Sequence, residues 1–203
     1  MKLFKEILGG KKMNKEMSST TRLMLCALCI ALNIVLGMIT STLKLPLYLD
    51  TIGTVFIAIY FGPWYGAIVG GSTNFLTSIL GNLAGMPFMI VSIVIGIVVG
   101  FIFKKVRITF VSALVVGIIL SIVAPLIGTP IGIAVYGGLT GTISDVAVMF
   151  LKESGASIFT ASFIPKVVNN LMDKIGTLLI IFFIIKALPG DLKPDCYGNQ
   201  TEA

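Results

Sequence analysis

The sequence predicts an all-α membrane protein: six transmembrane helices in one compact bundle, with the N- and C-termini cytoplasmic. Three observations predict it. Of 203 residues, 56% are hydrophobic and only 12% are charged, about half the charged share of a soluble domain. Apolar runs able to cross or nearly cross a bilayer recur along the chain, separated by short breaks rich in Gly, Pro or charge. Lys and Arg gather in the breaks that alternate crossings place on one side. The length leaves no room for a separate soluble catalytic or nucleotide-binding domain, so any energy source lies outside the chain. The net charge of +6 reads as a topology marker rather than a nucleic-acid surface.

The chain divides into a basic cytoplasmic segment (1–21), a membrane domain (22–188) and a polar cytoplasmic tail (189–203), expected to be disordered. Lys2, Lys5, Lys11, Lys12 and Lys15 stand against only Glu6 and Glu16 in the first segment, which puts it inside. No small-x-small cleavage site follows the first apolar run, so that run is read as a retained span over 23–40. Residues 41–50, with Pro46 and Tyr48, form an outer loop in which Asp50 or Thr51 is placed to cap the next helix. The second and third spans, 51–61 and 63–80, are joined by the break FGPWYG, where Pro63 suits a first helical turn and Trp64 and Tyr65 suit the headgroup level. Gly66, Gly70 and Gly71 mark close helix packing, as do Gly96 and Gly100 on the fourth span, 88–103. Residues 81–87 are an outer loop, and Lys104, Lys105 and Arg107 an inner one. The fifth span runs from 108 to about 127, where Pro125, Gly128, Pro130 and Gly132 are expected to kink or end it. SDVAVMFLKES, 144–154, has amphipathic helical spacing and reads as a short helix over the outer face. The sixth span is 163–185.

The polar residues carry the functional signal. The stretch KVVNNLMDKIGTLL, 166–179, opens the last span. At about 100° per residue Lys166, Asn169, Asn170, Asp173 and Thr177 share one arc, with Lys174 at its edge, while Val168, Leu171, Ile175 and Leu179 lie opposite. Asn74, Thr77 and Ser78 share a face of the third span at the same depth, which points to one cavity. Polar groups in hydrocarbon are expensive, so they line a site or pair with each other. Both uses are open here: Asp173 touches a ligand, or it pairs with Lys166, Lys174 or Lys44 and fixes helix register. Tyr48 and Tyr136 offer rings for stacking, and Tyr136 equally suits an interface anchor.

With no histidine in the chain, and no serine or cysteine beside an evident base, no catalytic set is assembled and the chain is not read as an enzyme. Cys26 and Cys29 read as small packing residues rather than metal ligands, and no metal site is assigned.

Together the basic N-terminus, the ALCIA segment at Ala27 to Ala31, the LYLDTIGTVFIAIYFGPWYGAIVGG stretch and the polar start of the last span resemble the substrate-binding S components of energy-coupling factor (ECF) transporters, over about residues 21–189. The resemblance implies a binding subunit of an ATP-driven micronutrient importer in the cell membrane. It implies that Ala27 and Ala31 dock on a transmembrane coupling subunit driven by two cytoplasmic ATPases, so that ATP is used by partners and no cofactor belongs to this chain. It also implies a pocket on the extracellular side, which suits Tyr48, Tyr136, Asn74 and the face formed by Lys166, Asn169, Asn170, Asp173 and Lys174. Paired amides with one carboxylate, a lysine and tyrosines suit a vitamin, a vitamin precursor or a nucleoside-like heterocycle, because asparagine offers both donor and acceptor. Two rivals stand beside this reading: a stand-alone secondary transporter coupled to protons or cations through Asp173, and a non-transport membrane scaffold or sensor.

Overall fold

In the computed structural model the described residues are 17–45, 47–139 and 144–197; the lysine-rich residues 1–16, Pro46, residues 140–143 and the end of the tail, 198–203, lie outside them. Helix α1, Ser19–Thr42, starts four residues before the apolar run because the Ser18 side chain accepts the Thr21 N–H and caps it. Helix α2, Ile52–Phe61, has ten residues, about 15 Å and half the hydrocarbon thickness of a bilayer. It is apolar all round, and eight of its ten residues are buried. A helix of that kind belongs inside a bundle. Gly62 makes the break with φ +92°, which a Cβ would strain, and Pro63 then opens α3, Pro63–Leu80.

The loop expected at 81–87 is largely a 3₁₀ turn, Leu83–Phe88, capped by the Asn82 side chain. It feeds α4, Met89–Lys105. Helix α5, Phe110–Tyr136, begins with a capping box between Thr109 and Ser112. Contrary to expectation, it does not stop near residue 127 but passes through Pro125 and Pro130 and ends at Gly137, in the left-handed region with φ 64°. Each proline removes one helical hydrogen bond; packed along α7, the segment stays helical nonetheless. Helix α6, Asp145–Glu153, is the expected short amphipathic helix, with Val148 its buried residue, and it packs on α7. Helix α7, Ile158–Ala187, starts five residues earlier than expected behind a Ser157 cap and contains Pro165 in its second turn.

Helix α5 packs along α7 and α3 along α4, while α2 lies among α1, α3 and α4 and reaches α7. The core follows α2: Val55, Ile57, Val69, Val99, Leu120, Leu178, Ile181 and Ile185 are all buried. Among the described residues four stretches are long and apolar enough to cross a membrane: α1, Leu83–Lys105, α5 and α7. The other two expected crossings fall short of that measure for different reasons. Helix α2 is too brief, and α3, which opens on PWYG and carries Ser72, Thr73, Asn74, Thr77 and Ser78, is not apolar enough.

The tail departs from expectation. Residues Gly190–Leu192 and Asp195–Tyr197 form 3₁₀ turns seated on the bundle. Leu192 is buried, its carbonyl accepts from the Tyr60 hydroxyl at 3.2 Å, and the Cys196 carbonyl accepts the Ile108 N–H at 2.9 Å. Taking the Cys196 thiol out of water pushes it up to about 11.

Asn33 ties three helices together. Fully buried on α1, it donates from Nδ2 to Thr54 Oγ1 on α2 and Thr73 Oγ1 on α3, both at 3.1 Å, and its Oδ1 accepts the Gly53 N–H at 2.7 Å. Asn33→Leu strands these groups and is expected to lower stability by about 1–3 kcal/mol. Thermal unfolding of the purified protein reads it; an unchanged midpoint would mean that the tie carries no net stability.

Candidate functional site

At the end of the bundle where α3 and α5 finish and α4 and α7 begin, the helices enclose a cavity of about 390 Å³, within the range of small-molecule sites. Three groups of residues build its wall. The loop after α1 brings Tyr48, Asp50 and Thr51; α3 brings Asn74, Thr77 and Ser78; α7 brings Lys166, Asn170 and Lys174. Phe88 and Tyr136 close one side as a stacked pair, with ring centroids 6.2 Å apart and planes at 24°. Pro125 and Gly128 of α5 also line it, so the part of α5 expected to end the helix forms wall instead.

Six of the eight binding candidates therefore meet at one cavity: Tyr48, Asn74, Tyr136, Lys166, Asn170 and Lys174. Asn74 donates to Ser92 Oγ, joining α3 to α4. Asn170 spends one amide hydrogen on the Lys166 carbonyl at 2.8 Å, leaving its carbonyl oxygen and second hydrogen for other partners.

Asn169 and Asp173 do not line the cavity. Asn169 donates to Ser144 Oγ just before α6, which turns it toward that helix. Asp173, with no exposed surface, is committed to the loop and to its neighbour. Its Oδ1 accepts the Tyr48 N–H at 3.0 Å and the Leu49 N–H at 2.8 Å, and its Oδ2 accepts Lys174 Nζ at 2.6 Å. Lys174 Nζ also donates to Thr51 Oγ1 at 2.9 Å. Of the two uses open to Asp173, the geometry shows pairing, and the partner is Lys174. The arc read from the sequence thus divides between the cavity, the preceding loop and the start of α6.

The clamp holds a loop under strain. Lys44 and Leu49 have φ of 49° and 50°, a region costly for residues other than glycine. Leu49 keeps that conformation while its N–H binds Asp173, and the Thr40 hydroxyl donates to the Tyr48 carbonyl at 2.8 Å. Asp50, expected as a cap, belongs to the wall; Thr51 stands at the cap position without a side-chain bond to the helix. Burial pushes the Asp50 carboxyl above the ordinary aspartate range, with Lys174 pulling the other way and Asp173 reinforcing it.

Ala27 and Ala31 lie exposed together on the side of α1 turned away from Asn33, flanked by the exposed Leu23, Met24, Leu28 and Val35. Cys26 and Cys29 face inward, buried and unpaired.

The profile of a family described as "ECF transporter, substrate-specific component" matches residues 21–185 of the chain. The chain belongs to this family. The S component is therefore a substrate-specific membrane subunit of a transporter, and its family is one of binding rather than catalysis. No curated protein and no solved structure matches the chain.

Proposed function

We propose that this S component captures a small, flat organic molecule from outside the cell and passes it inward as part of an ATP-driven ECF importer. The carrying observation is a cavity of about 390 Å³ with an aromatic wall and amide, carboxylate and ammonium groups, within a chain of this family. Its size and chemistry suit a vitamin, a vitamin precursor or a nucleoside-like heterocycle. In this reading the chain crosses the cell membrane six times with both ends inside, the short α2 counting as a crossing completed by its flanks. The cavity then opens outward, and the basic residues Lys104, Lys105 and Arg107 lie inside.

The exposed Ala27 and Ala31 are the proposed seat of the transmembrane coupling subunit, because small side chains let a second helix approach closely. Changing both to Trp is expected to abolish co-purification with the coupling module and ATP-dependent uptake, while ligand binding by the isolated subunit survives. A complex that persists would move the docking face elsewhere, and gradient-driven counterflow by the lone protein in liposomes would favour a secondary transporter. Against that rival, both oxygens of Asp173 are already engaged by three donors.

A further inference from the structure

Lys166 brings to the cavity an ammonium that no described residue answers with a hydrogen bond. Lys166 is only 9% exposed, lines the cavity, and its Nζ has no hydrogen-bond partner among the described residues. Lys174, two turns along the same helix and about 12 Å away by helical rise, is the contrast: it is held by Asp173 and Thr51. The acid whose field reaches Lys166 is Asp145, at the first turn of α6, which makes no hydrogen bond to its ammonium. A buried ammonium without a partner is costly, and an anion arriving in the cavity would offset that cost.

We propose that the ligand is a flat-ring monocarboxylate whose carboxylate pairs with the Lys166 ammonium while its ring lies along Phe88 and Tyr136. This rests on the substrate-capture reading above and names the substrate class. The count of charges selects the anion. Lys166 can balance one negative charge, whereas a phosphate monoester brings about −1.5 to −2 into a wall that already carries the Asp50 carboxyl. Asn170, one turn from Lys166, offers the neighbouring amide, and Asp50 in the wall near Lys174 accepts from an amino or ring N–H at the far end. The site therefore takes an acid at one end and a hydrogen-bond donor at the other.

The test compares acids with their uncharged counterparts on the purified full-length protein by calorimetry and thermal shift. The pairs are nicotinate with nicotinamide, 4-aminobenzoate with 4-aminobenzamide, and orotate with uracil. The acids are expected to bind about 10- to 100-fold tighter than their partners, the range of a hydrogen bond to a charged group, and Lys166→Met is expected to erase the difference. Since that change removes an unanswered charge, the ligand-free variant is expected to melt no lower than the parent. A lower ligand-free melting point would show Lys166 paired within the fold and overturn the proposal. So would tighter binding of the uncharged members, or an acid preference that survives Lys166→Met; either leaves the capture reading standing. No shift with any member, nor with a low-molecular-weight cell extract, overturns both.

Discussion

Asp173→Asn lowers the stability of the folded protein by about 3–5 kcal/mol, the usual cost of breaking a buried ion pair and leaving its partner charged. The asparagine still accepts the Tyr48 and Leu49 N–H groups, so the loss falls on Lys174, which is 2% exposed and keeps Thr51 as its hydrogen-bond partner among the described residues. Adding Lys174→Met is expected to recover more than half of the loss, because a buried pair replaced by uncharged groups of similar volume is often neutral. Thermal unfolding of the two single variants and the double variant in detergent closes the cycle. Because Asp173 does not line the cavity, ligand affinity of the single variant, measured well below its melting point, stays near the parent value. Weakened affinity at unchanged stability would instead put the carboxylate on the ligand.

The second large effect is expected at Gly96. A Cβ there would lie 2.4 Å from the Gly66 carbonyl carbon and 2.5 Å from its oxygen, and at Gly100 one would lie 2.3 Å from Pro63 Cα. Backbone cannot step aside as a side chain can, so Gly96→Val forces α3 and α4 apart along their contact. The change is expected to cost at least about 3 kcal/mol, as overpacking with backbone displacement does, and to reduce the yield of folded protein. Gly176→Ala on α7 is the control: its Cβ would meet nothing within 4 Å, so it is expected to stabilise by about 0.5–1 kcal/mol through helix propensity. Equal melting points for the Gly96 variant and the parent would show that the two helices can separate freely.

Most helices were legible because each apolar run is bounded by residues with a local meaning: Ser18 and Ser157 as caps, Gly62 and Pro63 as a break, Lys104 and Lys105 as an end. The errors came where a distant partner outweighed the local rule. Pro125 and Pro130 read as breakers, yet α5 is held in place by packing along α7. The tail is polar in composition, so nothing in its pattern foretells that the Leu192 carbonyl will meet Tyr60, a residue 132 positions earlier.

The site divides in the same way. Periodicity brings Lys166, Asn170 and Lys174 to one side of α7, and their cavity position follows. Asn169 and Asp173 share that arc; the Asp173–Lys174 pair is between neighbours and was among the pairings the sequence offered, but the Ser144 partner of Asn169 and the Tyr48 and Leu49 N–H groups on Asp173 come from 25 and about 125 residues away, beyond any local spacing. Asp50 looked like a cap because it stands just before α2, and only the fold turns it into wall. Asn33 carried no signal at all: a lone amide in an apolar helix gives no sign of which helices will answer it.

That amide has a mechanical consequence. Asn33 sits two residues from Ala31 on nearly the opposite side of α1, with bonds to Gly53, Thr54 and Thr73. Asn74, the residue after Thr73, is already in the cavity wall. A partner that pulls on α1 cannot slide it past its neighbours without first breaking all three bonds. Under the proposed docking, force at the Ala27–Ala31 face would enter the bundle as torque on a rigid body, and the cavity would turn with the helix that is gripped.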